Sequence, residues 1–218
     1  MARKSSGMQQ ASISEFFEKN KHFLGFDTLP RSIITAVKEA VDNALDAAEE
    51  KRILPDISIE IRKTKKKDEL ILICQDNGPG IPHKSLGKAF GSLLFGSRFH
   101  SIRQSRGQQG IGITGVVMYS QLTTGKPTKV ISKIAKETGA VSVNIGLDTK
   151  KNKAIISGEK RYSFDESDEY RGLHWIGEHG IRIEARIKAK YQRGKQSVYQ
   201  LSLIHISEPT RPRLISYA

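Results

Sequence analysis

Glu39 and Asn43 stand four residues apart in Lys38-Glu-Ala-Val-Asp-Asn-Ala-Leu-Asp46, so a helix puts both on one face with Asp46 beside them. A carboxylate in that position can act as general base on a water, and an amide oxygen can ligate Mg²⁺. Magnesium prefers oxygen ligands and keeps several waters, so one protein ligand plus phosphates suffices. The same face lies opposite the apolar stripe of its helix, and an ordinary solvent-exposed polar face accounts for these residues too. Asp76 opens Asp76-Asn-Gly-Pro-Gly80 at the end of an apolar run. A carboxylate there can accept from an exocyclic amine such as that of adenine, and Gly78 and Gly80 let a base pack against backbone. Read alone, the pentapeptide is also a plain turn.

The third chemical feature is Arg103-Gln-Ser-Arg-Gly-Gln-Gln-Gly-Ile-Gly-Ile-Thr-Gly115, with Gly107, Gly110, Gly112 and Gly115 inside nine positions. Glycine lets backbone N–H groups approach a ligand closely, and a run of them leading into a helix start forms a cage for phosphate. A glycine-rich linker is the competing reading, but this run leads straight into Ile-Thr-Gly-Val-Val-Met-Tyr-Ser. Ser97 and Arg98 lie just upstream. No Gly-x-x-x-x-Gly-Lys-Ser/Thr run exists, which removes a P-loop. Gly110 to Gly115 fits the dinucleotide fingerprint, but the polar run before it is no strand. His174 and His179 have no acidic or cysteine partner at ligand spacing, which argues against a metal site there.

These residues need a scaffold. Ile33, Ile34, Val37, Val41, Ala44, Leu45 and Ala48 recur at helical steps and predict a helix from Pro30 to Glu50. Pro30 suits the first turn. A second helix is expected from Ile111 to Leu122, stopped by Lys126-Pro127. Strands are expected at Ile57–Arg62, Glu69–Gln75, Lys129–Ala135, Val141–Leu147, Ala154–Ser157 and Ile181–Lys188. Ser14 to Lys21 is a short amphipathic piece, with Phe16, Phe17 and then Phe23 expected to be exposed ahead of any core element. Helices and mostly antiparallel strands are thus mixed without strict alternation, the pattern of a two-layer α+β sandwich with helices on one sheet face.

The chain has 218 residues, 37% hydrophobic and 27% charged, enough for one globular domain with a sizeable core. Its net charge of +13 favours anionic partners such as nucleic acid, nucleotides or an acidic membrane face. Part of that charge sits in lysine clusters at Lys63 to Lys67 and at Lys150, Lys151 and Lys153, which read as solvated loops. A lone cysteine, Cys74, reads as a small buried residue and favours a reducing setting. No apolar run is long enough to span a membrane and no signal peptide is evident, so an intracellular location is expected. The last eighteen residues change character. Leu201 to Arg211 and Ile215-Ser-Tyr-Ala218 resemble in-frame translations of sequencing-library adapters, so the native chain is expected to be cut near Gln200. Removing that tail takes away Arg211, Arg213 and Glu208 and leaves the basic balance standing.

The order of an acid-and-amide helix, Asp-Asn-Gly-x-Gly and a Gly-x-x-Gly-x-Gly loop resembles the ATP-binding domain shared by DNA gyrase, Hsp90, histidine kinases and MutL. Within that superfamily four stretches are similar to the B subunits of type IIB DNA topoisomerases, the topoisomerase VI family. They are Lys38 to Ala47, Asp76-Asn-Gly-Pro-Gly-Ile-Pro82, Arg103 to Gly112 and Tyr119-Ser-Gln-Leu-Thr-Thr-Gly-Lys-Pro127, and Glu15-Phe-Phe-Glu-Lys-Asn20 also fits. The resemblance spans about residues 12 to 200.

It implies a Bergerat-type fold with ATP and Mg²⁺ as cofactors. Residues 1–26 would be a dimerisation strap, 27–200 an ATP-binding domain and 201–218 a non-native tail. Glu39 would activate water, Asn43 would hold Mg²⁺ and Asp76 would read adenine beside Gly78 and Gly80. Ser97, Arg98, Gly107, Gln108, Gln109, Gly110, Ile111, Gly112, Ile113 and Thr114 would surround ribose and phosphates. The strap, with Phe16 and Phe17, would reach across to a second B protomer when ATP binds. That motion would drive double-strand passage with a DNA-cleaving A subunit in an A2B2 assembly on double-stranded DNA, away from any membrane, in cytoplasm, nucleoid or nucleus.

Two departures stand out. Arg98 replaces the family's usual lysine, changing donor geometry. Ile181, after His179-Gly180, stands where a threonine is usual and removes a hydroxyl near adenine. The family's linker and transducer domains, with a lysine for the γ-phosphate, fall beyond Gln200. This stretch alone is therefore expected to bind ATP weakly and hydrolyse it poorly. The alternatives are a non-hydrolysing ATP-gated clamp, another ATPase of the superfamily such as a chaperone or repair protein, and a basic nucleic-acid-binding module without nucleotide.

Overall fold

The computed structural model describes residues 13–91, 112–148, 153–163, 179–193 and 216–217. Their order is α1 (Ile13–Leu24), α2 (Leu29–Lys51), β1 (Ile57–Lys63), β2 (Glu69–Asp76), α3 (His83–Gly91) and α4 (Gly112–Thr124). The strands β3 (Thr128–Lys133), β4 (Gly139–Asp148), β5 (Lys153–Ser163), β6 (Gly180–Lys188) and β7 (Ser216–Tyr217) follow.

The long helix α2 forms as its periodicity demands. Thr28 caps it by accepting from the Arg31 amide at 3.4 Å, Pro30 sits in the first turn, and Arg52 ends it in the left-handed region at φ 57°. α4 stops at Thr124, where Gly125 turns the chain at φ 69° ahead of Lys126-Pro127.

The strands join in the order β5-β4-β3-β6-β2-β1-β7. Every pairing is antiparallel except a two-residue parallel bridge between β7 and Glu60–Ile61 of β1. Alternation then sorts the side chains by face. Ile59 and Ile61, Leu70, Leu72 and Cys74, Ile183 and Ala185, and Val130 and Val143 face Ile33, Val37, Leu86 and Val116 of the helices in one core. The opposite face carries polar ladders, including Arg182–Glu184 at 2.6 Å and Arg186–Glu69 at 3.2 Å. The expected two-layer α+β sandwich is what forms. Cys74 is buried in the core, which pushes its thiol pKa up.

Three expectations need correction. α3 has no counterpart in the predicted elements: only Leu86 and Phe90 mark its apolar side. Its small residues Gly87 and Gly91 lie instead against Ile156 and Ala154 of β5. β5 itself runs past Ser157 to Ser163 through polar residues, because an edge strand needs no alternating apolar pattern. Phe17 is the third. It is fully buried, its ring 5.7 Å from that of Phe26 and 6.0 Å from that of Tyr119. α1 thus packs on its own chain through Phe17, which is part of this core. The Tyr119 hydroxyl fixes the cluster by donating to the Lys188 carbonyl at 2.6 Å and accepting from Ser32 Oγ at 3.0 Å. Phe23 is 80% exposed, as expected; the side chain of Phe16 lies outside the described residues.

Candidate functional site

Glu39, Asn43 and Ala47 line one side of α2 at four-residue steps, a row about 12 Å long at 1.5 Å rise per residue. Two different pieces of chain meet the ends of this row. At the Glu39 end lies the start of α4: a Cβ built on Gly112 would fall 1.8 Å from Glu39 Oε2. At the Ala47 end lies the turn after β2: a Cβ built on Gly78 would fall 3.6 Å from Ala47 Cβ. Asn43 stands between, its Nδ2 donating to the Glu39 carbonyl at 2.6 Å. That bond commits the amide nitrogen and leaves Oδ1 as the group for a ligand. The row is not a solvent-exposed polar face. Glu39 and Asn43 are half-buried and Asp46 is buried, so the plain reading of this face does not hold.

Asp76 ends β2 on the helix-facing side and is buried. Its Oδ1 accepts from the Gly78 amide at 2.8 Å, and the Ile181 amide donates to the same carboxylate. Burial nevertheless dominates and raises its pKa from 3.8 to about 6; the two amides and nearby His179 pull the other way. Glu39 is also raised, chiefly by desolvation, with Lys38 opposing and Asp42 reinforcing the shift. Lys38 is held by Asp42 at 2.6 Å.

The turn 76–82 is braced from three sides. The Asn77 side chain accepts from the Asp56 amide at 2.8 Å and donates to the Leu54 carbonyl at 2.9 Å. Ser132 Oγ donates to the Ile81 carbonyl and accepts from its amide, both at 2.8 Å. His179 Nδ1 lies 2.9 Å from the Asn77 carbonyl and 2.8 Å from that of Gly78. None of these braces was singled out from the sequence. Sequence places His179 beside Gly180-Ile181 and Asn77 inside the Asp76 motif without assigning either a bracing contact, and Ser132 carries no signature beyond its type.

The first turn of α4 holds Gly112, Ile113 and Thr114, the last buried, and presents helix N-terminal amides beside Glu39. Ser97, Arg98, Gly107, Gln108, Gln109, Gly110 and Ile111 lie outside the described residues.

A family model described as histidine kinase-, DNA gyrase B- and HSP90-like ATPase matches residues 28–154. This chain belongs to that ATPase family.

Within it, the B subunit of type 2 DNA topoisomerase 6 from Archaeoglobus fulgidus is 51% identical over 193 residues, 88% of this chain and 30% of that protein. The protein of the same name from Methanococcoides burtonii is 48% identical over 202 residues, covering 92% and 30%. That from Halobacterium salinarum is 50% identical over 185 residues, covering 85% and 22%. The chain therefore spans less than a third of the length of these relatives. Among solved structures, the ATPase and transducer domains of DNA topoisomerase II from Balamuthia mandrillaris align with a TM-score of 0.49 at 18% identity, covering 74% of this chain and 38% of that one.

The family's ATP-binding fold suits the arrangement in one respect that matters for a metal. Among the described residues no group of three His, Cys, Asp or Glu side chains could hold an ion, so a multi-ligand protein cage is absent there. A single amide oxygen at Asn43, with phosphates and waters completing the shell, is a donor set that Mg²⁺ accepts. Ile181 pairs with Asp76 across β2 and β6, so an apolar side chain stands directly beside the carboxylate. No helix among the described residues is long and apolar enough to cross a membrane.

Gly80 sits at φ +71°, and a Cβ there would fall 1.9 Å from the Lys133 carbonyl oxygen, a backbone atom that cannot swing away. Gly125 has a similar φ of +69° but open space around it. Gly80→Ala is expected to cost about 3 kcal/mol and Gly125→Ala only about 1 kcal/mol. Urea unfolding midpoints of the two variants check this, and equal losses would mean that the turn is not pressed onto β3.

Proposed function

We propose that this chain is the ATP-binding domain of a type IIB topoisomerase B subunit, with Mg²⁺ as the nucleotide's counter-ion. One observation carries the reading: a single row on α2 meets the first turn of α4 at Glu39 and the Asp76 turn near Ala47. ATP has matching parts. Its adenine amine donates to Asp76, with Gly78 and Gly80 allowing close approach. Its phosphates meet the amides at Gly112, Ile113 and Thr114, continuing into Gly107 to Ile111 with Ser97 and Arg98. Asn43 Oδ1 is the ligand for Mg²⁺, which neutralises phosphate charge when bound.

Glu39 is the general base. Its raised pKa makes it a better proton acceptor near neutral pH, and it takes a proton from the water that attacks the γ-phosphate. Helix amides beside it stabilise charge on the phosphate oxygens. Coupled to this site are dimerisation of two B subunits through residues 1–26, an A subunit that cleaves DNA, and double-stranded DNA itself. The basic charge of the chain suits that last partner. Residues 201–218 are, on this reading, foreign to the native protein.

A fluorescent ATP analogue titrated with Mg²⁺ tests the nucleotide site, with saturable binding expected and GTP a poor competitor. The full-length protein mixed with its A partner should then relax supercoiled DNA only with ATP present. A wild-type chain that binds no nucleotide overturns the proposal.

A further inference from the structure

His179 enters none of the roles above, yet its ring is tied to the turn that carries Asp76. Nδ1 lies within hydrogen-bonding distance of two carbonyls, those of Asn77 and Gly78. Both are acceptors, so Nδ1 must carry the proton. Gly78 is the residue whose amide binds Asp76 Oδ1. Gly180 follows, so close that a Cβ on it would fall 2.2 Å from the Asp76 carbonyl oxygen. The next residue, Ile181, donates its amide to the Asp76 carboxylate. Three consecutive residues at the start of β6 thus grip both the Asp76 carboxylate and the backbone that follows it.

We infer that His179 is a positioning residue for base recognition: its Nδ1–H locks the Asn77–Gly78 carbonyls so that Asp76 presents its free lone pairs to an adenine amine. The inference rests on the reading of Asp76 as the adenine acceptor. The grip is directional. Without the Nδ1–H, the two carbonyls lose their shared donor and the Gly78 peptide is free to rotate. Asp76 Oδ1 then loses its amide partner, and the carboxylate no longer holds one orientation. A base that offers an amine and a base that offers a carbonyl become less distinguishable, so selectivity falls along with affinity.

The test uses the whole 218-residue chain, with affinities for ATP and GTP measured by displacement of a fluorescent ATP analogue, and melting followed by circular dichroism. In His179→Asn the side-chain amide nitrogen takes the place of Nδ1; in His179→Gln it takes the place of Nε2. His179→Ala is expected to weaken ATP about tenfold while leaving weak GTP binding nearly unchanged, so the ATP-to-GTP ratio collapses. His179→Asn should restore most of that ratio and His179→Gln should not. A purely structural role would move melting temperature and both nucleotides together. Unchanged ATP preference in His179→Ala overturns the inference alone, as does equal behaviour of the Asn and Gln variants, which decides the matter even if the Ala variant fails to fold. Failure of the wild-type chain to bind ATP overturns the adenine reading and this inference with it.

Discussion

Asp76→Ala is expected to weaken ATP binding by about 2–3 kcal/mol, some 30- to 150-fold, the scale of a buried hydrogen bond to a charged acceptor. The unsubstituted chain should show a milder version of the same loss as pH falls through about 6, where the carboxylate takes up a proton. An ionised Asp76 offers acceptors only, which is what an exocyclic amine requires; the protonated acid presents a competing O–H donor. Stability should move the other way. The folded-state pKa is raised from 3.8, so the fold favours the protonated form. This group's contribution is fully present below 3.8 and is lost as pH rises through about 6. Holding this buried carboxylate ionised at neutral pH therefore carries about 3 kcal/mol of strain. Asp76→Asn removes the buried charge but sets an NH₂ against one of the two amides, at Gly78 or Ile181, that now donate to the carboxylate. It should therefore recover only part of that amount. Isothermal titration at pH values of about 7.5 and about 5.5, with thermal melts at both, checks the pair of signs on either side of the titration. Affinity and stability falling together on acidification would contradict the assignment.

The parts of this site that sequence could reveal are those with a periodic or compositional signature. The row Glu39–Asn43–Ala47 follows from helical spacing alone once the stripe Ile33, Val37, Ala44, Ala48 fixes the helix. Asp76 is visible because an apolar strand ends on it in front of Gly78 and Gly80. Distances between elements are not visible in this way. Nothing in local pattern places Gly112 against Glu39, since that contact depends on how α4 crosses α2. His179 is separated from Gly78 by 101 positions and joins it only because β6 pairs with β2. Phe17 is buried where pattern suggests exposure, for a related reason. A short amphipathic segment at a chain start looks free until its partners, Phe26 and Tyr119, are found to come from elsewhere in the chain. α3 is hard to read from pattern because part of its contact surface is glycine: beside the buried Leu86 and Phe90, Gly87 and Gly91 have no side chain to mark their contact with β5.

Glu39→Gln is expected to lower ATP hydrolysis by the full-length protein about 10²- to 10⁴-fold while leaving ATP binding intact, because the amide keeps the shape but cannot accept a proton. A second variant tests position instead of chemistry. In Gly112→Ala the new Cβ would fall 1.8 Å from Glu39 Oε2, so the carboxylate must swing aside. The clash is with the far end of a flexible side chain, and Gly112 does not have a positive φ. The fold can therefore accommodate alanine, which also favours a helix by up to about 1 kcal/mol over glycine. A displacement on the order of 1 Å at a general base costs about 100-fold in rate. Gly112→Ala should thus melt at or above the wild-type temperature and yet hydrolyse ATP far more slowly. Single-turnover hydrolysis under saturating ATP separates this from weakened binding at the first turn of α4. If Gly112→Ala turned over ATP at the wild-type rate while Glu39→Gln did not, the resting place of the Glu39 carboxylate against Gly112 would not be the one from which it acts. If both variants were fully active, the base would have to be sought off α2 altogether.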